Sequence, residues 1–242
     1  MSDARGKSSL QLALEFPHRA ALGLEDFFVS TSNRAAIELI DQWPRWPGPC
    51  AYLQGPAGSG KSHLAHVWQM ASGARIESAG TLDDRVGDAA AALKALVVED
   101  VDKALAGIGE CKSETEHKLF HLINMAKEHE FHVLFTGAVA PGQIEIGLPD
   151  LRSRMRALPV VRIEPPDEML LRTMLAKQFG DRQIDVQPNL IEYILPRMGR
   201  SFEGVGALVE LLDRSALESG RRITRQFAGE VLRQSEWDEA DD

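Results

Sequence analysis

The chain has 242 residues, 44% of them hydrophobic, and sets 27 lysines and arginines against 36 aspartates and glutamates for a formal charge of −9. That is ample apolar material for one large domain, or for a domain with a smaller companion, and the acidic balance argues against broad, sequence-independent binding to DNA, whose phosphates are neutralised by lysine and arginine. No apolar run approaches the ~20 residues of a membrane helix, residues 1–7 lack the apolar stretch of a secretion signal, and Cys50 and Cys111 stand far apart with no CxxC, so the expectation is a cytoplasmic protein with two reduced thiols and no cysteine zinc site.

Residues 1–10 are polar and small, a composition that predicts a loose segment. In Gln11-Leu12-Ala13-Leu14-Glu15-Phe16 the apolar residues alternate. That pattern fits a short edge strand, or a tethered peptide that docks Leu12, Leu14 and Phe16 into an apolar groove on another protein. Asp26-Phe27-Phe28-Val29 leads into a helix over residues 32–40, with Ala36, Ile37 and Ile40 as its apolar stripe and Ser32 or Asn33 as its cap. Three prolines between Trp43 and Pro49 make the next stretch a loop.

Cys50-Ala51-Tyr52-Leu53 reads as a buried strand, and Gly55-Pro56-Ala57-Gly58-Ser59-Gly60-Lys61-Ser62 is an unbroken GxxxxGKS followed by a helix over residues 63–70. Glycines let the main chain curl around anionic oxygens with its N–H groups exposed, and the helix beginning near Lys61, Ser62 and His63 adds its positive dipole end. Lys61 would reach the terminal phosphates and the Ser62 hydroxyl would hold Mg²⁺. A plain glycine turn would explain neither the lysine nor the serine.

A short strand at residues 74–77 and a connecting helix at 82–93 precede Ala95-Leu96-Val97-Val98-Glu99-Asp100, an apolar run ending in two carboxylates. Such continuous runs mark parallel strands buried on both faces, and their C-terminal ends gather beside the phosphate loop. Glu99 is placed on the metal side and Asp100 on the water side, with the roles exchangeable; the alternative is that Glu99, Asp100 and Asp102 form a solvated turn. Residues 115–128 predict an amphipathic helix in which His117 and His121 have metal-pair spacing, but Lys118 stands where a zinc-site HExxH has glutamate. Residues 131–137 form another buried strand, ending at Thr136, a hydroxyl suited to sensing a γ-phosphate. Arg152, Arg154 and Arg156 share a short helix before a last strand at 158–163. They are either solvated or offered to a neighbouring subunit.

Beyond Glu164-Pro165-Pro166 only helices are predicted, over residues 167–179, 188–195, 202–218 and 224–233. The organisation expected is an N-terminal segment (1–19), an α/β nucleotide-binding domain with a parallel sheet flanked by helices (20–164), a small all-helical lid (165–234) and a loose acidic tail (235–242).

Together these motifs resemble the AAA+ ATPases of the DnaA branch over most of the chain. Residues 26–29 with Asn33 look like the adenine-side box, which brings Phe28 to the nucleotide; Gly55 to Ser62 match Walker A and residues 97–100 Walker B, with Glu99 in place of the usual aspartate. Thr136-Gly137 is similar to the sensor I strand end, although Ala138-Val139 departs from the polar pair of relatives. Gly147-Leu148-Pro149-Asp150-Leu151-Arg152-Ser153-Arg154 is similar to the arginine-finger box, with Arg154 as the finger. In the lid, Glu203 stands near the place of the sensor II arginine and Arg200 one turn earlier, so Arg200 is the candidate substitute.

The resemblance implies ADP or ATP with Mg²⁺ as ligand, with intrinsic turnover slow or absent. Gln11, Leu12, Leu14 and Phe16 resemble the peptide by which replication proteins bind the sliding clamp, the β subunit of DNA polymerase III. With no room for the helix-turn-helix domain of DnaA itself, the expectation is a negative regulator of replication initiation that sits on the clamp and stimulates ATP hydrolysis by DnaA. No sequence-specific DNA contact and no membrane contact are expected, and a homo-oligomer is allowed. The rival readings are an autonomous ATPase working as a helicase loader or remodelling factor, and a metabolic P-loop kinase, which would leave the arginine helix and the lid unexplained.

Overall fold

The computed structural model describes residues 29–83 and 85–235. The peptide Gln11–Phe16, Phe28 and residues 236–242 of the tail lie outside the described residues.

Five strands form one parallel sheet in the order β2-β3-β4-β1-β5: β1 (Cys50–Gln54), β2 (Arg75–Ser78), β3 (Ala95–Glu99), β4 (His132–Gly137) and β5 (Val160–Arg162). The apolar runs read from the sequence are the three central strands. Ala51, Tyr52 and Leu53, residues 95–98 and residues 133–135 are fully enclosed, because helices cover both faces of a parallel sheet.

Strand alternation deals these residues to two sides. Cys50, Tyr52, Leu96, Val98 and Phe135 join a core closed by α3 (Val86–Leu93), α4 (Val101–Leu105), α5 (Glu110–Glu128) and α6 (Pro149–Arg156). Ala51, Leu53, Val97 and Leu134 join another, closed by α1 (Arg34–Gln42) and α2 (Lys61–Ser72). A third core draws only on residues 171–232, from α7 (Glu168–Asp181), α8 (Pro188–Ile194), α9 (Phe202–Ser219) and α10 (Arg225–Gln234). Among the described residues no helix is long and apolar enough to cross a membrane.

Several local expectations are corrected. Asn33 does not cap α1 with its side chain; its Oδ1 accepts the N–H of Ser30 at 2.9 Å, closing the preceding turn. The α5 helix begins at Glu110 rather than near Thr115, whose hydroxyl donates to the Cys111 carbonyl one turn back inside the helix. The connecting helix is shorter than expected, Val86–Leu93. The β3 strand ends at Glu99, and Asp100 turns into the left-handed region at φ 57° to start α4, a helix the sequence pattern does not announce.

The Trp43–Pro49 loop is packed by aromatic rings. Trp46 stacks on Trp68 of α2 at 5.1 Å and donates its indole N–H to the Leu39 carbonyl at 2.7 Å, while Trp43 meets Trp68 edge-on. His132, the first residue of β4, packs edge-on to both Trp43 and Trp46. Burial holds its imidazole below its ordinary pKa, partly offset by a hydrogen bond to the backbone of Pro44.

A histidine whose folded pKa lies below its unfolded value binds more protons when unfolded, so its contribution is complete above about pH 6.5 and declines as the pH falls toward the folded value. Melting temperatures at pH 7.5, 6.5 and 5.5 should fall more steeply for the wild type than for His132→Gln. Parallel profiles would remove His132 as a source of acid sensitivity.

Candidate functional site

The parallel register aligns the C-terminal ends of the central strands: Leu53 lies beside Thr136, Gln54 beside Gly137, and Val98 beside Phe135. The residues that follow β1, β3 and β4 therefore meet on one edge of the sheet, where α/β folds build their sites.

Between β1 and α2 the loop turns through Gly58 at φ +65° and Gly60 at φ +93°, conformations that cost a residue with a side chain. Close approach is a second constraint. A Cβ on Gly58 would stand 2.6 Å from Ser201 Cβ, and one on Gly55 would stand 2.5 Å from Ser59 Oγ and 3.0 Å from the Ile163 carbonyl. Pro56 and Ala57 are exposed, as are Ser62 and His63 on the first turn of α2. No side chain caps that helix at Gly60, which leaves a helix N-terminus suited to an anion. Lys61 folds back over the loop, its ammonium donating to the carbonyls of Gly55 (2.7 Å) and Pro56 (2.8 Å). Burial lowers its pKa, against the opposing pull of Asp102 and Asp100.

Glu99 closes β3 with its Oε1 buried and without a hydrogen-bond partner, and the buried Ser59 Oγ is likewise unsatisfied. An orphaned carboxylate oxygen at the end of β3 and an exposed hydroxyl on the first turn of α2 are hard oxygen donors of the kind that suits Mg²⁺, and Glu99 and Ser62 are the protein groups that would hold it. Asp100 pairs with Lys103 at 3.1 Å, and its N–H donates to the hydroxyl of the buried Thr136 at 3.4 Å.

The alternative of a solvated turn fails at Asp102, which is buried. Its Oδ2 accepts the N–H groups of Ala138 (2.9 Å) and Val139 (3.0 Å), and the Tyr52 hydroxyl donates to the Val139 carbonyl at 2.9 Å. The Tyr52 pKa is raised by burial and further by Asp102 and Asp100. Asp102 thus fixes the loop after β4, a role its sequence position does not betray. Burial likewise pushes the Cys50 thiol up to about 12, as suits an inert core residue.

The lid reaches this edge directly. The Phe202 N–H donates to the Gly58 carbonyl at 2.9 Å, and a Cβ on Gly60 would meet the Phe202 ring at 3.0 Å. Ser201 caps α9 by accepting the Gly204 N–H at 2.9 Å. Glu203 is close enough to bear on the Lys61 ammonium. Arg200 instead lines a cavity of about 600 Å³ beside α7 and α8, with Leu171, Leu195 and Met198. Asp167 joins the two parts, capping α7 through the Leu170 N–H (2.8 Å) and accepting from the Thr31 hydroxyl (3.3 Å).

The arginines lie elsewhere. Leu151 and Met155 bury one side of α6 in the core opposite to that of α2, and Arg152, Arg154 and Arg156 are exposed. The Arg154 guanidinium sits 5.1 Å over the Phe120 ring. Glu116, a buried residue of α5 that sequence reasoning passed over, accepts the N–H groups of Gly147 (2.8 Å) and Leu148 (2.7 Å) just ahead of α6. His117 and His121 are exposed, and among the described residues no cluster of three or more histidines, cysteines, aspartates or glutamates could hold a metal.

No protein-family model matches the chain. Among solved structures it is similar to domain III of the replication initiation protein DnaA from Thermotoga maritima, with a TM-score of 0.73 and 16% identity over 90% of this chain and 98% of that one. It is also similar to DnaA bound to AMPPCP and single-stranded DNA (TM-score 0.66, 18% identity, 84% and 69% covered) and to a mutant of RuvB from Thermotoga maritima (0.64, 13%, 87% and 72%). It spans about two thirds of the longer DnaA chains that it matches. At these identities the likeness establishes the fold, a parallel α/β domain followed by a helical one, as in DnaA and RuvB.

Asp102→Ala would remove the carboxylate that accepts the Ala138 and Val139 N–H groups and should cost about 1.5–3 kcal/mol, as for hydrogen bonds to a charged group, read as a lower urea midpoint. Asp102→Asn, which keeps a carbonyl acceptor, should lose less. A wild-type midpoint for the alanine variant would mean that the loop after β4 finds other partners.

Proposed function

We propose that the chain is a nucleotide-bound negative regulator of replication initiation of the Hda type, an inactivator that acts on DnaA while held on the sliding clamp. The observation that carries this reading is the division of labour across the sheet. The phosphate loop and α2 belong to one face, and the arginine helix α6 packs on the other with its three guanidinium groups exposed. That placement suits a finger that serves a neighbour's nucleotide rather than the chain's own.

The ligand in this reading is ADP or ATP with Mg²⁺. DnaA, whose fold the chain shares, has been seen with AMPPCP. Lys61 would exchange the carbonyls of Gly55 and Pro56 for terminal phosphate oxygens, the first turn of α2 would supply N–H groups, and Ser62 and Glu99 would hold the metal. The ion would neutralise charge on the phosphates. In this reading Thr136 would sense the terminal phosphate and Asp100 would orient an attacking water, while intrinsic turnover would be slow, with nucleotide acting chiefly on conformation. The N-terminal peptide supplies the clamp contact, and a homo-oligomer is compatible with the same surfaces.

Arg154 brings a planar guanidinium to the charge that develops in DnaA-bound ATP as the phosphoryl group transfers, an effect worth ~10³–10⁵ in rate. Arg154→Ala should keep nucleotide and clamp binding but lose stimulation of DnaA. Arg154→Lys should fail nearly as badly, because an ammonium cannot reproduce the fork. The measurement is conversion of DnaA-bound ATP to ADP with clamp on DNA. Conversion at the wild-type rate with the alanine variant would dismiss Arg154 and turn attention to Arg152 or Arg156, while hydrolysis by the chain alone at the stimulated rate would favour an autonomous loader or remodelling ATPase.

For the clamp, the Leu14→Ala, Phe16→Ala double variant should abolish capture on immobilised clamp at an unchanged melting temperature, each side chain contributing ~1.5–3 kcal/mol when fully buried in a groove. Early melting with clamp capture intact would instead make the peptide part of the fold.

A further inference from the structure

We infer that Glu116 is the positioning residue of the arginine helix, the group that sets where α6 holds Arg154; this rests on the reading of Arg154 as the finger. The α6 helix spans only eight residues, and its N-cap residue, Leu148, offers no side-chain cap. Its buried anchors are Leu151 and Met155, apolar contacts that are non-directional. They bury one face without defining how the N-terminal end is seated.

Glu116 supplies the missing direction. Its two carboxylate oxygens take two successive backbone donors, Gly147 at 2.8 Å and Leu148 at 2.7 Å. Two bonds to one planar group fix both position and orientation, and the negative charge sits at the positive end of the helix. Glu116 as a residue is only 5% exposed, and a buried charge is tolerated only with such partners. Leucine or alanine at that place would simply complete the core. Gly147 is fitted to the group as well, since a Cβ there would stand 3.3 Å from Glu116 Oε2. One turn further along α5, Phe120 lies under the Arg154 guanidinium, so a single helix holds both the root and the tip of the arginine helix.

A guanidinium that stabilises transferring charge works only within a narrow geometry, and a displacement of ~1 Å can cost ~10²-fold in rate. Glu116→Gln is nearly isosteric but turns an amide donor toward one of the two N–H groups. With clamp on DNA and DnaA-bound ATP, it should lower the maximal rate of conversion by about 10²-fold, leaving the half-saturating concentration, nucleotide affinity and clamp capture at wild-type values. Gly147→Ala, which keeps the carboxylate and crowds it, should give a smaller loss of the same kind and covers the case in which Glu116→Gln fails to fold. Adding Glu116→Gln to Arg154→Ala should lower conversion no further than Arg154→Ala alone. Wild-type rates for Glu116→Gln beside an inactive Arg154→Ala would overturn the positioning role and leave the finger standing. A further loss in the double variant would make Glu116 a general stabiliser and overturn it too, and full activity of Arg154→Ala would overturn both finger and positioner.

Discussion

The whole molecule depends on how the backbone gets from Gln54 to Lys61. Leaving a buried strand for a helix within one short loop, with its N–H groups unobstructed, requires a left-handed turn at Gly58 and again at Gly60. The lid uses the same bareness, since Ser201 and Phe202 come closer to those glycines than any side chain on them would allow. The glycine pattern is thus fixed from two sides, by the curl a phosphate needs and by the neighbour that lies over it. In the structure Lys61 satisfies itself on the loop's own carbonyls, so the nucleotide binding proposed above would be an exchange of partners at a preformed cradle.

From that loop the sheet distributes tasks by strand alternation. Odd and even residues of β1 enter different cores, and with them go α2, which follows the glycine loop, and α6, which carries the three arginines. Two buried carboxylates hold the loops whose backbone would otherwise drift. Asp102 ties the loop after β4 to α4, and Glu116 ties the approach to α6 to α5. Each neutralises a pair of donors that regular structure leaves unsatisfied. Each reaches across more than thirty residues of sequence, 36 to Ala138 and 31 to Gly147.

That separation explains what could be read in the sequence. The central strands were legible because strands covered on both faces must be apolar throughout, and the lid helices because their stripes recur at helical spacing. GxxxxGKS was legible because backbone curl, charge and metal ligand lie within eight consecutive residues. The α4 helix was not, because it depends on Asp100 in a left-handed turn and on Asp102 bonding to a distant loop. Glu116 looks like any solvated glutamate in a polar helix start, and only the fold brings Gly147 and Leu148 to it. Asn33 misled for the opposite reason, since a residue suited to capping found a nearer donor in Ser30. The relation of Arg200 and Glu203 to the loop also belongs to packing, as the two sit three residues apart and face different surroundings.

The aromatic packing behind α2 has a spectroscopic consequence. Trp43, Trp46 and Trp68 gather on the α1–α2 side of the sheet, and no tryptophan occurs between residues 165 and 235. With the fourth tryptophan, Trp237, replaced by phenylalanine, indole emission comes from this trio alone; it then tracks the sheet and its first helices and is silent on α7 to α10, which contribute to the far-ultraviolet dichroism through their backbone. The dichroism sums over all three cores and the emission watches one of them, so a gap between their transitions on heating would measure directly how firmly α7 to α10 are coupled to the glycine loop beneath them.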